Sequence, residues 1–322
     1  MTQPKPVDRQ PPRWRGPLLV GLAAAVIVAI AVVATVITTG RSTAHQTALP
    51  VPATAARSSA AQATSSAAAS SATSEPSPTR ESPASSAAPV VPGPRPADDR
   101  PGPVILVPGY GGDDQMLVGL ADRLHRAGRT TTLLQLPNNA EGDLHDQAQV
   151  LAARVTQLLK AGAPSVDLVG YSAGGIVVGL FVAAHPQQVR RVVSIGSPMH
   201  GTDLAGLAAG FLPSACPVAC QQMVPGTSLL ASLVGAEPAR TGVPWLSLWT
   251  TNDQVVQPAD SARVNGALNV VLQDVCADDN VDHINLPADP LVAALTLKGL
   301  GTGVTAVPKA ADCSALRTLG AA

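Results

Sequence analysis

The hydrophobic pattern changes character twice along the chain. Leu18–Ile37 is an almost unbroken apolar run of twenty residues, with no charge between Gly16 and Gly40. Residues 51–90 carry Ala, Ser, Thr or Pro at 33 of 40 positions and show no apolar period. From about residue 101, short apolar runs alternate with amphipathic stretches. Val104–Val107, Thr131–Leu134, Val166–Val169, Val192–Ile195, Trp245–Trp249 and Ala267–Leu272 read as strands. Asp114–Ala127, Asp143–Ala161, Ala173–Ala184 and Pro290–Leu300 read as helices. The second of these places Leu144, Ala148, Leu151, Ala152, Val155, Leu158 and Leu159 on one face. The strands are apolar throughout rather than alternating, which predicts a parallel sheet covered on both faces. The expected fold class is α/β, a doubly wound and mostly parallel sheet.

The three zones predict three parts. Residues 1–40 read as a basic cytoplasmic tail plus a transmembrane signal-anchor, because twenty helical residues span roughly 30 Å, the thickness of a bilayer core. Lys5, Arg9, Arg13 and Arg15 precede the run against one acid, Asp8. The positive-inside rule then keeps the N-terminus cytoplasmic and exports the chain beyond residue 40. A cleaved signal peptide is the alternative, with Ser42, Thr43 and Ala44 as the small residues at the cleavage point. Residues 41–100 read as a disordered tether too poor in apolar surface to offset chain entropy. Residues 101–322 are long enough for one domain with a full core. The expected location is the cell membrane with the domain on its outer side, or secreted if the chain is cut after Ala44.

Charge sharpens that division. The first hundred residues hold nine Lys/Arg and five Asp/Glu, and the rest twelve and seventeen, so the overall −1 conceals a basic and an acidic part. The acidic part has no block of basic residues, and only seven residues of the chain are aromatic. That excludes nucleic acid as a partner, since its binders need phosphate-neutralising charge and stacking platforms.

The chemistry concentrates at the ends of the predicted strands. Val166–Val169 runs into Gly170-Tyr171-Ser172-Ala173-Gly174-Gly175 and then a helix. This is the G-x-S-x-G elbow, a tight strand-to-helix turn that lifts a serine hydroxyl above the sheet edge. Ser172 is therefore the expected nucleophile. Its flanking glycines relieve the crowding of a strained turn, and the helix N-terminus offers N–H groups to a developing anion. The turn Pro108-Gly109-Tyr110-Gly111-Gly112 follows the first strand and predicts an oxyanion hole formed by the backbone N–H groups of Tyr110 and Ala173. A serine nucleophile needs a base, and the base an orienting acid, in the chain order Ser, Asp, His for this architecture. His283 follows the last strand in a polar loop and is the expected base. His185 ends the elbow helix, and His200 precedes the later strands. Asp253, just past Trp245–Trp249, is the expected acid, with Asp260 in reserve. Asp278, Asp279 and Asp282 are expected to solvate the histidine loop.

Cys216, Cys220, Cys276 and Cys313 all fall in the exported part, an even count that reads as two disulfides with three possible connectivities. The preferred set is Cys216–Cys220, a local loop, and Cys276–Cys313, which would pin the histidine loop to the C-terminal tail. No C-x-x-C or histidine pair supports a metal, and none is expected.

At this point the residues resemble a known family. Val107-Pro108-Gly109-Tyr110-Gly111-Gly112, the elbow, and Gly196-Ser197-Pro198-Met199-His200-Gly201-Thr202 resemble secreted bacterial class 2 lipases of the α/β-hydrolase superfamily. Asn252 to Pro258, and Val275-Cys276 through Asp282-His283, are also similar to the fungal lipase B type. The resemblance spans roughly residues 101–316. It implies an ester hydrolase using Ser172, Asp253 and His283, with Tyr110 and Ala173 at the oxyanion hole, and it supports the Cys276–Cys313 pairing. Pro108 departs from the His that many such lipases carry there, and Met199 stands where a polar or basic residue is common. Both bear on substrate preference.

The expected function is hydrolysis of carboxylic esters of the lipid or acylglycerol type through an acyl-enzyme, by a monomer needing no cofactor. An envelope acyltransferase with the same triad and a non-catalytic tethered binding protein are the alternatives. Leu204–Val234 is expected either to cover the site or to wall it.

Overall fold

The computed structural model describes residues 99–112, 114–301 and 306–322. The predicted membrane-spanning run Leu18–Ile37, and residues 41–98 of the predicted linker, lie outside the described residues. Six strands form one sheet: β1 (Val104–Val107), β2 (Thr131–Leu133), β3 (Val166–Tyr171), β4 (Val189–Ile195), β5 (Trp245–Trp249) and β6 (Leu268–Val271). Their order is β2-β1-β3-β4-β5-β6 and every pairing is parallel. Chain connections therefore cross from one strand's end to the next strand's start, and helices cover both faces. On one face lie α2 (Leu144–Lys160) and α3 (Ala173–Ala184). On the other lie α1 (Val118–Arg126) and α5 (Pro290–Gly299). Between β4 and β5, α4 (Asp203–Phe211) is followed by several short helices, and α6 (Cys313–Ala321) ends the chain.

The apolar strands are buried because they serve two cores at once. Ile105 and Val107 point into the core under α2 and α3, while Val104 and Leu106 point into the other. Trp245 and Trp249 are both buried, as expected of strand core. The amphipathic face of α2 sends Leu144, Ala148, Leu151 and Val155 into the first core. The segment after α4 walls the domain, since Cys216, Ala219, Leu229 and Leu230 join the same core, while Phe211 at the end of α4 is 79% exposed.

Several elements differ from the sequence reading: β3 runs on to Tyr171, β4 starts at Val189, Leu272 opens a helical turn rather than ending β6, and α4 was not predicted. The first predicted helix begins as a 3-10 turn, Asp114–Leu117, before α1. The expected C-terminal tail is a helix, α6, whose Leu316 is buried. Its amphipathic run is short enough to be mistaken for a loop, and its register is fixed by packing on α5. Both preferred disulfides are present, Cys216–Cys220 and Cys276–Cys313. At the sheet's amino end Asp167 is fully buried, paired with Arg190 at 2.6 Å and with Arg129. Ser172, Asp253 and His283 lie beyond the other end, where β1, β3, β4, β5 and β6 all finish.

Candidate active site

The site begins with a residue in a conformation that L-amino acids rarely adopt. Ser172, between β3 and α3, has φ 52° and ψ −129°. That geometry survives because the neighbouring backbone leaves no alternative. A Cβ on Gly170 would stand 2.5 Å from the Gly175 Cα, and one on Gly174 2.3 Å from the Val107 carbonyl oxygen. Only glycine at both positions lets β3 turn into α3 this tightly. The Ser172 N–H donates to the Ile195 carbonyl at 2.8 Å, and the Gly175 N–H to that of Ser172 at 3.0 Å.

The three residues selected from chain order meet here. The His283 Nε2 lies 3.0 Å from the Ser172 Oγ, and its Nδ1 lies 2.6 Å from the Asp253 Oδ2. All three are buried, Ser172 at 9%, His283 at 5% and Asp253 at 2% exposure, so water does not screen these contacts. The other Asp253 oxygen, Oδ1, accepts from the Val255 and Val256 N–H groups at 2.9 and 2.7 Å. The carboxylate is thus fixed by its own loop before it meets the imidazole. Of the alternatives, Asp260 is exposed. His200 is exposed and faces the Ser261 carbonyl at 3.1 Å, and His185 stacks against Phe181 at the far end of α3.

The turn after β1 lies against Ser172. Gly112 closes it by donating to the Gly109 carbonyl at 3.2 Å, with Gly111 at φ 67°. A Cβ on Gly109 would sit 2.7 Å from the Ser172 Cβ, so Tyr110 follows directly beside the serine. Ala173 opens α3, where the first-turn N–H groups have no helical acceptor. The Tyr110 side chain turns toward the first core, where burial, with Glu141 nearby, raises its phenol above the ordinary value.

Two contributors were not visible in the sequence pattern. The Tyr171 hydroxyl donates to the His283 carbonyl at 2.9 Å, with its ring 5.4 Å from the imidazole. Burial, with Asp253 and Asp282 adding to it, pushes this phenol far above its usual range, so it stays a donor. A buried tyrosine in an apolar strand demands such a partner, and that was the available signal. Asp279 corrects the expectation that it solvates the loop: it is buried and pairs with Arg317 of α6 at 3.3 Å. Asp278 stays on the surface with the same arginine, at 3.0 Å.

Residues 102–215 match the family model described as alpha/beta hydrolase fold. A Bacillus licheniformis lipase in its mature form superposes with a TM-score of 0.53 at 20% identity, over 63% of this chain and 93% of that one. The domain has the α/β-hydrolase fold. Aspergillus fumigatus lipase B superposes on this domain with a TM-score of 0.51 at 19% identity, covering 71% of this chain and 64% of that one. In sequence, the triacylglycerol lipase of Vibrio cholerae serotype O1 is 31% identical over 118 residues, 35% of this chain and 37% of that enzyme. That of Pseudarthrobacter phenanthrenivorans is 33% identical over 118 residues, 34% and 37%. The chain thus spans little more than a third of the length of these curated relatives.

Proposed function

We propose that the chain is a serine hydrolase of carboxylic esters of the lipid or acylglycerol class. The observation that carries this reading is the unbroken contact chain Asp253–His283–Ser172 beside a glycine turn, in a hydrolase fold. Ser172 Oγ attacks the ester carbonyl while His283 Nε2 takes its proton. Asp253 holds the imidazole so that Nε2 faces the serine, and it stabilises the imidazolium that forms. The N–H groups of Tyr110 and Ala173 receive the oxyanion, a contribution of about 3–4 kcal/mol per donor in comparable sites. His283 then protonates the departing alcohol, leaving an acyl group on Ser172. Water, deprotonated by the same histidine, attacks the acyl-enzyme and releases the acid.

The named activity of the lipases similar in sequence supports an acylglycerol-type ester as substrate. All three triad residues come from one chain, which supports a functional monomer. Two disulfides support an oxidising compartment, hence a domain spanning residues 101–322 on the outer side of the membrane, held by the apolar run Leu18–Ile37 through the linker 41–100. The test uses the full chain in detergent on p-nitrophenyl butyrate and palmitate beside Ser172→Ala. Turnover that vanishes in the variant is expected. No turnover on either ester from a folded chain would overturn ester hydrolysis as the activity.

A further inference from the structure

The Asp253–His283 contact depends on two loops that leave different strands, and a group of hydrogen bonds joins those loops. Thr250 to Asp253 follow β5, and Asp279 to His283 come after β6. Between them stands Gln273, in the helical turn Leu272–Val275 that directly follows β6. Its Nε2 donates to the Thr250 Oγ1 at 2.9 Å and to the Asp279 carbonyl at 3.0 Å, while its Oε1 accepts from the Thr251 N–H at 2.9 Å. The Thr250 hydroxyl donates in turn to the Val281 carbonyl at 2.8 Å and accepts from the Asn252 N–H at 3.1 Å. Asn252 Nδ2 adds a bond to the Asp279 carbonyl at 3.3 Å.

The group is self-consistent in its donors and acceptors. A threonine hydroxyl has one hydrogen and two lone pairs, and all three are used here. The Gln273 amide has only one workable orientation, because reversal would set its oxygen against the Asp279 carbonyl and its nitrogen against the Thr251 N–H. The bonded residues 250–252 and 279–281 lie next to Asp253 and two positions before His283. These side-chain bonds run between the two loops, while the Ser172 hydroxyl bonds to His283.

We infer that Gln273 and Thr250 are positioning residues that hold the acid loop and the histidine loop at the separation that the Asp253–His283 contact requires. The inference rests on the ester-hydrolase reading for its kinetic consequences, though not for its geometry. Loosening the pair should let the imidazole drift, and displacements of about 1 Å cost on the order of a hundredfold in rate. Because the substrate side of the site is untouched, the loss should fall on kcat and leave KM within about twofold.

The experiment compares Gln273→Glu, Thr250→Val and Thr250→Ser in the full chain, each assayed well below its unfolding temperature. Gln273→Glu keeps the acceptor for Thr251 and removes both donors. Thr250→Val keeps the shape and removes the hydroxyl, and Thr250→Ser restores it. The first two are expected to lower kcat by roughly tenfold to a hundredfold, with Thr250→Ser within about threefold of the parent. The proton NMR signal of the imidazole Nδ1–H, far downfield when bonded to a carboxylate, should shift or broaden in the first two and return in the third. Variants that lose thermal stability but keep both kcat and that resonance would overturn the inference. An inactive parent would sink the hydrolase reading alone, because the resonance would still report whether Gln273 and Thr250 govern the contact.

Discussion

Gly109→Ala should damage catalysis far more than it damages the fold. The added Cβ would stand 2.7 Å from the Ser172 Cβ and 3.2 Å from both the Ser172 Oγ and the Tyr171 carbonyl oxygen. Nonbonded carbons settle at about 3.5–4.0 Å, so the serine and the turn must separate by roughly 1 Å. The elbow cannot yield much, since Gly170 and Gly174 are already packed against backbone on its other sides. The displacement therefore falls on the distance between Ser172 and the turn that carries the Tyr110 N–H. Misplacement of that size costs on the order of a hundredfold in kcat, about 2.7 kcal/mol of transition-state stabilisation. Overpacking costs about 1–3 kcal/mol of stability, which leaves a domain of this size folded at room temperature. Gly119→Ala is the control, because that glycine lies exposed in α1 with nothing within 4 Å of an added Cβ. It should gain about 0.5–1 kcal/mol of stability and keep full activity. Steady-state kinetics on p-nitrophenyl butyrate, with urea unfolding on the same samples, reads both effects. A folded Gly109→Ala chain with kcat within threefold of the parent would refute the argument that this close approach sets the site.

The two disulfides should differ in worth. Cys276–Cys313 closes a sequence separation of 37 and Cys216–Cys220 one of 4, so chain entropy assigns about 4 and about 2 kcal/mol respectively. Urea unfolding of the two double-serine variants should preserve that order, and the reverse order would contradict it. Asp167→Asn should cost about 3 kcal/mol by removing the buried carboxylate that Arg190 and Arg129 share, which leaves Arg190 the exposed Asp99 at 3.4 Å; the same unfolding curves read it, and a loss under about 1 kcal/mol would count against the pairing. Burial raises the Asp289 carboxyl above its ordinary value, despite the bond it accepts from the Val292 N–H at the start of α5. A raised carboxyl contributes stability below the ordinary value and loses it as pH climbs through the folded one. Asp289→Asn keeps the capping acceptor without the charge. Its melting temperature should therefore exceed the parent's at pH 7 and converge with it near pH 3–4, and an equal or lower value at pH 7 would oppose this reading.

Local chemistry and chain order were legible in the sequence. Apolar runs such as Val104–Val107 and Trp245–Trp249 declare buried parallel strands because both faces must be covered. The elbow is readable because Gly170 and Gly174 are demanded by Ser172 itself. Asp253 and His283 could be chosen because the architecture places acid and base past the later strands. The supporting contacts were not legible, since they join residues that share no local pattern. Nothing around Asp279 signals an ion pair with Arg317, 38 residues away, and nothing in Gln273 signals that it spans two loops. The helix α6 was missed for the same reason: nine residues carry little helical signal until α5 and the Cys276–Cys313 bond hold them.

The proposed mechanism makes Ser172, activated by His283 and Asp253, an acyl-accepting nucleophile. Its most direct measurement is mass spectrometry of the full chain after exposure to diethyl p-nitrophenyl phosphate. The serine oxygen would bond to phosphorus, p-nitrophenolate would leave, and the hydroxyl proton would pass to His283. One diethylphosphoryl group per chain is expected, located on Ser172 by peptide mapping and absent from Ser172→Ala and His283→Ala. An unmodified parent chain, or a modification that persists in Ser172→Ala, would contradict it.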